Sequence, residues 1–155
     1  SRMAFNVWIK SGSDLTPEEQ ARVIQGNREM NWSKKETLSG LKGTYNYYAF
    51  LGESSDQVLA YVAYQEIFDD LSIHTVWVDP SYRRQGLGKT LFQSWLKTLP
   101  TGSRVTLEVR EANLAAIRLY QALDFQVIDR RPNYYQQPED HALIMQIELS
   151  ERRSL

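Results

Sequence analysis

The chain of 155 residues contains no cysteine, and its two histidines, His74 and His141, lie far apart in the sequence. The lack of cysteine excludes disulfide bonds, a thiolate nucleophile and zinc sites with cysteine ligands. Because neither histidine has a second one close to it in the sequence, a histidine metal cluster is not expected. We therefore predict a protein without a metal cofactor.

The sequence also lacks any run of about 20 apolar residues, which is the length that a membrane-spanning helix requires. Its first residues do not show the basic and then apolar pattern that is typical of a secretory signal peptide. The formal net charge of -1 gives no excess of the positive charge on which nucleic-acid binding usually depends. We therefore expect a soluble, cytoplasmic protein that binds neither membranes nor nucleic acids.

The composition that remains is that of an ordinary globular protein, with 42% hydrophobic and 24% charged residues. A chain of this length fits one domain, so a single domain is predicted over residues 1–155. The periodicity of the apolar residues predicts seven strands and four helices. The strands are expected at residues 5–10, 45–51, 58–68, 71–78, 104–109, 125–128 and 140–149, and the helices at residues 16–27, 33–41, 86–99 and 113–123.

Three of the predicted helices begin with specific capping signals. Thr16 precedes Pro17, and this pair favours a helix start because proline suits the first helical position. Ser33 and Glu36 have the spacing of a capping box. Asn113 precedes an amphipathic segment and is the expected N-cap of the last helix.

The order of these elements predicts the class of the fold. Three consecutive strands within residues 45–78 favour antiparallel pairing, whereas the helix at residues 86–99 between two strands favours a parallel crossover. We therefore predict an α+β fold with a mixed, mainly antiparallel sheet of six to seven strands that is flanked by about four helices.

A short glycine-containing segment, residues 83–89 (RRQGLGK), links a predicted strand to a predicted helix. Glycine permits a tight turn, and the first amides of a helix have no intrahelical partner and attract anions together with the helix dipole. With its cationic side chains this segment suits a pyrophosphate, although an ordinary turn gives the same pattern. It is neither a Walker A loop nor a dinucleotide-binding fingerprint, because the glycines that those motifs require are absent.

A longer stretch around this turn resembles a known family. Residues 76–89 (VWVDPSYRRQGLGK) are similar to motif A of the GNAT superfamily, whose core is Gln/Arg-x-x-Gly-x-Gly/Ala. Residues 107–110 (LEVR) and several positions within residues 113–120 resemble the motif that follows in that family. The resemblance implies an α+β fold of the GNAT type and acetyl transfer from acetyl-CoA to an amine.

The region from residue 130 onward resembles the end of the bacterial RimI-type enzymes within this superfamily. The similar segments are residues 130–135 (RRPNYY), 139–140 (ED) and 142–145 (ALIM). RimI-type enzymes acetylate the N-terminal alanine of a small-subunit ribosomal protein, so the resemblance implies a protein N-terminus as the acceptor. It covers residues 71–149 and is vague before residue 71, in the half that helps to shape the acceptor site.

The resemblance also implies where acetyl-CoA binds. In the family, the strand before the glycine turn splays from its parallel neighbour and holds the pantetheine arm through free backbone groups, and the turn holds the phosphates. From the residues alone, Val76, Trp77 and Val78 are equally readable as ordinary core residues of a strand. Asn113 is readable as a helix cap, which is compatible with a contact to the pantetheine arm. The positions that match the family's cofactor site are Val76, Trp77, Val78, Arg83, Arg84, Gln85, Gly86, Leu87, Gly88, Lys89 and Asn113.

Glu108 and Tyr120 match the positions of the family's general base and general acid. A base is needed because an α-amino group, with a pKa near 8, is partly protonated at neutral pH. A phenol, with a pKa near 10, suits proton donation to the leaving thiolate. From the residues alone, Glu108 is also readable as an exposed carboxylate paired with Arg104 or Arg110, and Tyr120 as a core residue.

Three aromatic residues are candidates for contact with a peptide acceptor. Trp32 follows the first predicted helix, and Tyr134 and Tyr135 are predicted to lie in a polar loop. Packing within the fold is the alternative for each of them. A lysine, a polyamine or a small-molecule amine as the acceptor, or a CoA-binding module without catalysis, are the alternatives for the function.

The chain departs from the family at Asp124, where the family usually has glycine before the aromatic Phe125. This position follows a helix and often needs a left-handed conformation. Aspartate tolerates that conformation better than most residues do. We therefore expect a small cost in stability and no change in the chemistry.

Overall fold

The computed structural model describes residues 5–150. These residues form one seven-stranded sheet with the strand order β1-β2-β3-β4-β5-β7-β6. The strands are β1 (Asn6–Ser11), β2 (Asn46–Gly52), β3 (Val58–Ile67), β4 (Asp70–Val78), β5 (Arg104–Arg110), β6 (Gln126–Gln136) and β7 (Glu139–Glu148). The helices are α1 (Pro17–Glu29), α2 (Lys34–Leu41), α3 (Leu87–Leu96) and α4 (Leu114–Ala122).

All neighbouring strands are antiparallel except β4 and β5, which are parallel and joined by the crossover helix α3. The predicted mixed, mainly antiparallel α+β fold with four helices is therefore confirmed. No helix within residues 5–150 is long and apolar enough to cross a membrane.

The predicted capping signals are used in the structure. Thr16 accepts a hydrogen bond from the amide of Glu19, whose carboxylate accepts one from the Thr16 amide. Ser33 and Glu36 form the same reciprocal pair at the start of α2. The side chain of Asn113 accepts a hydrogen bond from the Ala116 amide at the start of α4. Each pair satisfies amide donors that a helix cannot satisfy internally.

Helix α1 continues beyond Gly26, where the sequence predicts its end, and reaches Glu29. Gly26 is buried, and a Cβ atom there would collide with the side chains of Tyr61 and Trp77. The glycine is thus required for the close approach of the helix to the sheet and not for a helix stop. This close approach fixes α1 over β3 and β4.

The two faces of the sheet carry separate apolar clusters. Helices α3 and α4 cover one face, where Leu91, Phe92 and Trp95 pack among buried residues of β2 to β5 and β7. Helices α1 and α2 cover the other face, where Val23 and Leu41 pack against aromatic residues of β2 to β4. Burial of these clusters is the main source of stability, because apolar surface contributes roughly 25 cal/mol for each Å² removed from water.

Two further element boundaries, the ends of α3 and β6, differ from the prediction by three residues or more. Helix α3 ends at Leu96 and not at Leu99. Strand β6 runs to Gln136, so the expected polar loop at Tyr134 and Tyr135 is wrong and both residues lie in a strand. Nearly every residue of β6 is exposed, and the strand therefore lacks the apolar alternation by which a half-buried strand is recognised.

Asp124 follows α4 with a φ of 74°, which is the left-handed conformation predicted for this position. It lies in the turn that returns the chain from α4 to β6, one residue before the buried Phe125. Aspartate therefore adopts here the left-handed conformation that glycine adopts most readily, and it does so at a lower cost than most residues would.

Candidate functional site

The parallel strands β4 and β5 are paired over three positions only. The paired residues are Asp70 with Arg104, Leu71 with Val105 and Ser72 with Thr106. Beyond them β4 continues for six residues and β5 for four, without further pairing between the two strands. The facing edges of residues 73–78 and 107–110 thus border a gap in the middle of the sheet, where backbone N–H and C=O groups face a possible ligand instead of a strand.

A backbone irregularity on β4 accompanies this gap. Ala63 of β3 pairs with Thr75, whereas the next residue, Tyr64, pairs with Ile73. His74 is therefore the extra residue of a β-bulge, which bends a strand and increases its twist. The bulge lies where β4 leaves β5, so it contributes to opening the gap.

The predicted diphosphate turn lies at the end of β4, between the gap and α3. Arg84 and Gly86 both have left-handed backbone conformations, with φ of 65° and 76°. The first hydrogen bond of α3 runs from the Thr90 amide to the Gly86 carbonyl, so the amides of the three residues before Thr90 have no intrahelical acceptor. Arg84 and Lys89 are exposed beside these amides. The turn therefore offers backbone donors and positive charge to an anion.

The two glycines of this turn have different structural roles. A Cβ atom on Gly86 would meet nothing within 4 Å, so this residue is glycine because of its left-handed conformation. A Cβ atom on Gly88 would lie 3.6 Å from Leu119 of α4 and 3.9 Å from Val78 of β4. Gly88 therefore faces the junction of α3, α4 and β4, where the helix passes close to its neighbours.

Arg83 has an unexpected set of partners. Its Nε donates to the carbonyl of Val78 at 3.1 Å, and its guanidinium also bonds to the carboxylate of Glu29 at 3.3 Å. The other carboxylate oxygen of Glu29 accepts a hydrogen bond from the indole of Trp77 at 3.1 Å. In this structure Arg83 thus joins the turn to the end of α1, whereas the sequence suggests a free charge for a phosphate.

The three strand residues expected to hold a pantetheine arm border the gap through their backbones. The side chain of Trp77 is buried on the α1 face and stacks on Tyr61, with ring centroids 5.4 Å apart. Val76 and Val78 pack on the opposite face, against the α3 cluster. These side chains are core residues, and only the backbone of the segment is available to a ligand.

Tyr120 lies on α4, on the α3 face of the sheet. It is only 8% exposed, and its ring is 5.6 Å from that of Phe92 and 5.8 Å from that of Phe125. Burial raises the pKa of Tyr120 to about 12. The phenol therefore stays protonated at neutral pH and can act as a hydrogen-bond donor.

Glu108 lies on β5, two residues beyond the last paired position. Its neighbours Leu107 and Val109 are buried in the α3 cluster, so Glu108 points to the opposite face, which carries α1 and α2. The carboxylate lies 3.9 Å from the guanidinium of Arg131. A hydrogen bond to Glu108, followed by its negative charge, raises the pKa of Tyr134.

The structure thus brings Glu108 together with the aromatic pair of β6. Tyr134 and Tyr135 contact each other edge to face, with centroids 5.2 Å apart. Tyr135 is covered by the guanidinium of Arg110 at 4.2 Å, whereas Tyr134 remains 45% exposed beside Glu108. Of the two tyrosines, Tyr134 is therefore the one that is open to a ligand.

Trp32 lines a cavity of about 160 Å³ below the loop between α1 and α2. The cavity lies on the α1 face of the sheet, the face to which Glu108 points. Thr75 also lines it, and nothing within residues 5–150 forms a hydrogen bond with its buried hydroxyl. A buried hydroxyl without a partner costs about 1–3 kcal/mol, so its presence needs an explanation. Reasoning from the sequence missed Thr75, because a threonine in a strand carries no signal until the fold shows what surrounds it. The cavity is lined by Asn27, Trp32, Gly40, Asn46, Tyr47, Tyr48, Ala63, Tyr64, His74 and Thr75.

Among residues 5–150, no three His, Asp or Glu side chains come close enough together to hold a metal ion. The acidic pair Asp69 and Asp70 lies at the closed end of the β4–β5 pairing. Both carboxylates contact Arg104, at 3.9 and 2.9 Å. They do not belong to the gap.

Comparisons with known proteins agree with this geometry. The model of the acetyltransferase (GNAT) family matches residues 15–125. The ribosomal protein bS18-alanine N-acetyltransferase of Salmonella typhimurium is 36% identical over 146 residues, which cover 92% of this chain and 96% of the relative. The enzyme of the same name from Escherichia coli is 34% identical over 123 residues, which cover 77% of this chain and 82% of the relative.

A solved structure supports the same assignment. The crystal structure of the ribosomal-protein-S18-alanine N-acetyltransferase from Escherichia coli matches with a TM-score of 0.77 and 28% identity, and the match covers 97% of both chains. The family match covers well over half of the chain, and two relatives exceed 30% identity over more than two thirds of it. The chain therefore belongs to the acetyltransferase (GNAT) family, as an acetyl-CoA-dependent N-acetyltransferase of the RimI type.

Proposed function

We propose that this enzyme acetylates the α-amino group of a protein N-terminus, an N-terminal alanine of a ribosomal protein, by direct transfer from acetyl-CoA. The observation that carries this proposal is the gap between β4 and β5, which has the diphosphate turn at one end and Glu108 at its border. The names of the two curated relatives supply the acceptor, ribosomal protein alanine. The whole described chain, residues 5–150, would act as one catalytic domain.

The residues of the cofactor site fit acetyl-CoA. The amides of Leu87, Gly88 and Lys89 would bind the diphosphate, with Arg84 and Gln85 beside it. No atom lies within 4 Å of a Cβ position on Gly86, so no side chain covers the turn at this point. Acetyl-CoA supplies the thioester, an acetyl donor whose carbonyl carbon is attacked by an amine.

The free backbone of residues 76–78 would hold the pantetheine arm at the gap. An N–H group of this segment would also stabilise the oxyanion that develops on the carbonyl during attack, as backbone donors do in other acyl transfers. Asn113 already uses its side chain to cap α4, and its exposed position leaves it able to contact the arm as well.

Glu108 would act as the general base, directly or through a water molecule. It would remove a proton from the ammonium form of the acceptor, because only the neutral amine has the lone pair that attacks the thioester. The new C–N bond forms as the C–S bond breaks, and the electron pair of that bond leaves on the sulfur. The surplus proton of the attacking nitrogen is transferred to this sulfur, so that CoA leaves as the thiol. Tyr134, whose pKa is raised by the neighbouring carboxylate, would help to hold Glu108 in position beside the acceptor.

Tyr120 would stabilise the departing thiolate from the other face of the sheet. The base and the acid lie on opposite faces, and only an opening in the sheet allows both to act on one reacting centre. Because burial raises the pKa of Tyr120 to about 12, its phenol always carries a proton at neutral pH. We expect the hydrogen bond from this phenol to account for most of its effect, since the same burial disfavours the phenolate.

The surroundings of the acceptor side favour a protein N-terminus over a polyamine or a lysine side chain. A polycation would need several free carboxylates near the gap, but Asp69 and Asp70 are paired with Arg104 at its closed end. Exposed Tyr134 and half-buried Trp32 instead offer aromatic surface for a peptide. Arg131 beside Glu108 adds a positive charge, which disfavours a second cation on the acceptor.

The test is an acetylation assay with a panel of amines and acetyl-CoA, followed by mass spectrometry. We expect a peptide that begins with alanine to be acetylated on its α-amino group at a kcat/KM at least tenfold above that for a lysine-containing peptide with a blocked N-terminus. Preference for spermidine or the lysine peptide would overturn the proposed acceptor. Saturable binding of acetyl-CoA without transfer to any amine would identify a CoA-binding module instead.

A further inference from the structure

The cavity beneath Trp32 lies on the acceptor side of the gap. It extends over β2, β3 and the bulge of β4, where His74 and Thr75 form part of its wall. Thr75 is three residues beyond the last paired position of β4, and Glu108 is two residues beyond that of β5. The cavity and the candidate base thus border the same gap from opposite strands, on the same face of the sheet.

The chemistry of the cavity wall is aromatic and uncharged. Trp32 lies over the α1 face and Tyr48 presents its ring on it, whereas the rings of Tyr47 and Tyr64 pack on the α3 face. None of the ten lining residues is aspartate, glutamate, lysine or arginine. A charged group placed there would lose its hydration without gaining an opposite charge, which is strongly unfavourable. The cavity therefore suits an uncharged group.

The Thr75 hydroxyl differs from the other buried threonine hydroxyl of this face. Thr37 is also buried, and its hydroxyl accepts a hydrogen bond from Asn27 at 3.1 Å. Thr75 is 7% exposed, and no hydrogen bond reaches its hydroxyl within residues 5–150. Valine has the same shape and would avoid the unsatisfied group, so the fold itself gains nothing from this hydroxyl.

We infer that the cavity is a subsite for an uncharged side chain that follows the acetylated residue of the acceptor, and that Thr75 supplies the hydrogen bond that orients this side chain. The inference rests on the proposed function and adds a specificity-determining residue to it. A cavity of about 160 Å³ holds one small ring or one branched side chain, because engineered cavities of about 150 Å³ bind benzene. The ligand class is therefore a side chain of that size with a hydroxyl or an amide group, while lysine, arginine and acidic side chains are excluded.

The test compares the wild type with Thr75→Val on alanine-starting peptides. In one peptide pair, tyrosine or phenylalanine stands at the second position, and in another pair they stand at the third. For the position that enters the cavity, Thr75→Val should raise KM for the tyrosine peptide roughly 3- to 10-fold, the effect of one lost hydrogen bond. KM for the phenylalanine peptide, KM for acetyl-CoA and kcat should remain within twofold of the wild type.

A stability measurement provides the control. Thr75→Val should leave Tm unchanged or raise it, because no hydrogen bond within the protein is lost. Thr37→Val removes the acceptor of Asn27 and should lower Tm by several degrees. A fall of Tm in Thr75→Val similar to that in Thr37→Val would show that the hydroxyl serves the fold, and it would overturn the inference.

The remaining outcomes separate this inference from the proposed function. If the wild type acetylates the alanine peptides and Thr75→Val changes KM for none of them, the subsite is wrong and the proposed function stands. If the wild type acetylates no peptide, the proposed function fails. Calorimetric titration of the same peptides into the CoA-bound wild type and into CoA-bound Thr75→Val then decides about the subsite. Equal dissociation constants of the tyrosine peptides for these two proteins would overturn the inference as well.

Discussion

The two faces of the sheet are constructed differently where β4 and β5 separate. On the α3 face, the site consists of backbone amides, two glycines and a buried tyrosine that packs between Phe92 and Phe125. On the α1 face, it consists of polar side chains that bond to one another over long distances in the sequence. The site on the α3 face thus depends on backbone groups of one short segment and on apolar packing, whereas the site on the α1 face depends on polar contacts between residues far apart in the sequence.

Buried Glu19 illustrates the second kind of construction. Its carboxylate accepts hydrogen bonds from Trp8 and Lys10 of β1, from Ser55 of the β2–β3 loop and from the Thr16 amide. Burial alone would raise the pKa of Glu19, but these hydrogen bonds outweigh it and lower the pKa. Four hydrogen bonds from β1, the β2–β3 loop and the N-cap of α1 thus end on one carboxylate, which positions α1 over the sheet.

The contrast indicates that each face of the sheet serves a different substrate, acetyl-CoA on the α3 face and the amine acceptor on the α1 face. In the proposed function, the α3 face presents donors to a diphosphate that every acetyl-CoA molecule shares, so backbone groups are sufficient. The α1 face must distinguish one amine from another, which requires side chains of defined shape and polarity. A substitution on one face should therefore alter the kinetics of one substrate and spare the other.

The largest expected effect is that of Glu108→Gln. Glutamine keeps the size of the side chain and a hydrogen-bond acceptor for Tyr134, but it cannot take up a proton. We expect kcat to fall at least about 100-fold at pH 7, since general base catalysis contributes that much or more. The deficit should shrink above pH 9, where an α-amino group with a pKa near 8 is already neutral. The dissociation constant of acetyl-CoA, measured by calorimetry, should change less than twofold.

Glu111→Gln is the matched control for this substitution. Glu111 follows β5 directly, and its carboxylate contacts exposed Arg130 at 2.6 Å. An exposed ion pair contributes little to stability, so this variant should retain kcat within twofold. Equal activity of the Glu108 and Glu111 variants from pH 6 to pH 10 would show that the base lies elsewhere.

A smaller effect, on the other face, is expected for Gly86→Glu. The glutamate would have to keep the left-handed backbone conformation of Gly86, which costs about 1–2 kcal/mol. Its carboxylate would place a negative charge beside the diphosphate. We expect KM for acetyl-CoA to rise roughly 10- to 100-fold, while KM for the acceptor peptide stays within twofold. Steady-state kinetics with each substrate varied in turn measures both values.

Gly102→Glu separates strain from charge in that experiment. Gly102 also has a positive φ, 92°, and open space around a Cβ atom, but it lies in the turn after α3, away from the diphosphate turn. Both variants should lose similar stability in a thermal melt. A similar rise of KM for acetyl-CoA in both would mean that the diphosphate does not bind at Gly86.

The same contrast explains how far the sequence allowed the structure to be predicted. The glycine turn before α3, the caps of α1, α2 and α4 and the parallel crossover depend on residues that are close in the sequence, and all were predictable; diphosphate binding at that turn stays a prediction. Gly26 was misread as a helix stop, because the rings that it contacts lie on β3 and β4. Strand β6 was only partly recognised, because its exposed residues do not alternate.

The site residues were likewise predictable only where the signal lies in neighbouring residues of the sequence. Glu108 and Tyr120 were predicted from a family resemblance, and the structure places them at the gap and in the α3 cluster; their catalytic roles remain predictions. Thr75 was missed, because its significance depends on the cavity that α1, α2 and three strands form together. The pairing of Arg83 with Glu29 was equally invisible, since 54 residues separate them.

The smallest predicted effect concerns this pairing, which links the two faces. Glu29→Gln keeps a hydrogen-bond acceptor for the Trp77 indole. It removes a negative charge near the diphosphate turn and thereby weakens the contact between residue 29 and Arg83. The ion pair is partly exposed and is worth at most about 1 kcal/mol, so the change in affinity cannot exceed about fivefold. We expect KM for acetyl-CoA to fall two- to fivefold, because the guanidinium becomes free to approach the phosphates. Glu18→Gln, an exposed change at the other end of α1, should leave KM unchanged. A rise of KM in Glu29→Gln would mean that Arg83 serves the cofactor by shaping the turn through Glu29, and the two faces would then not be independent.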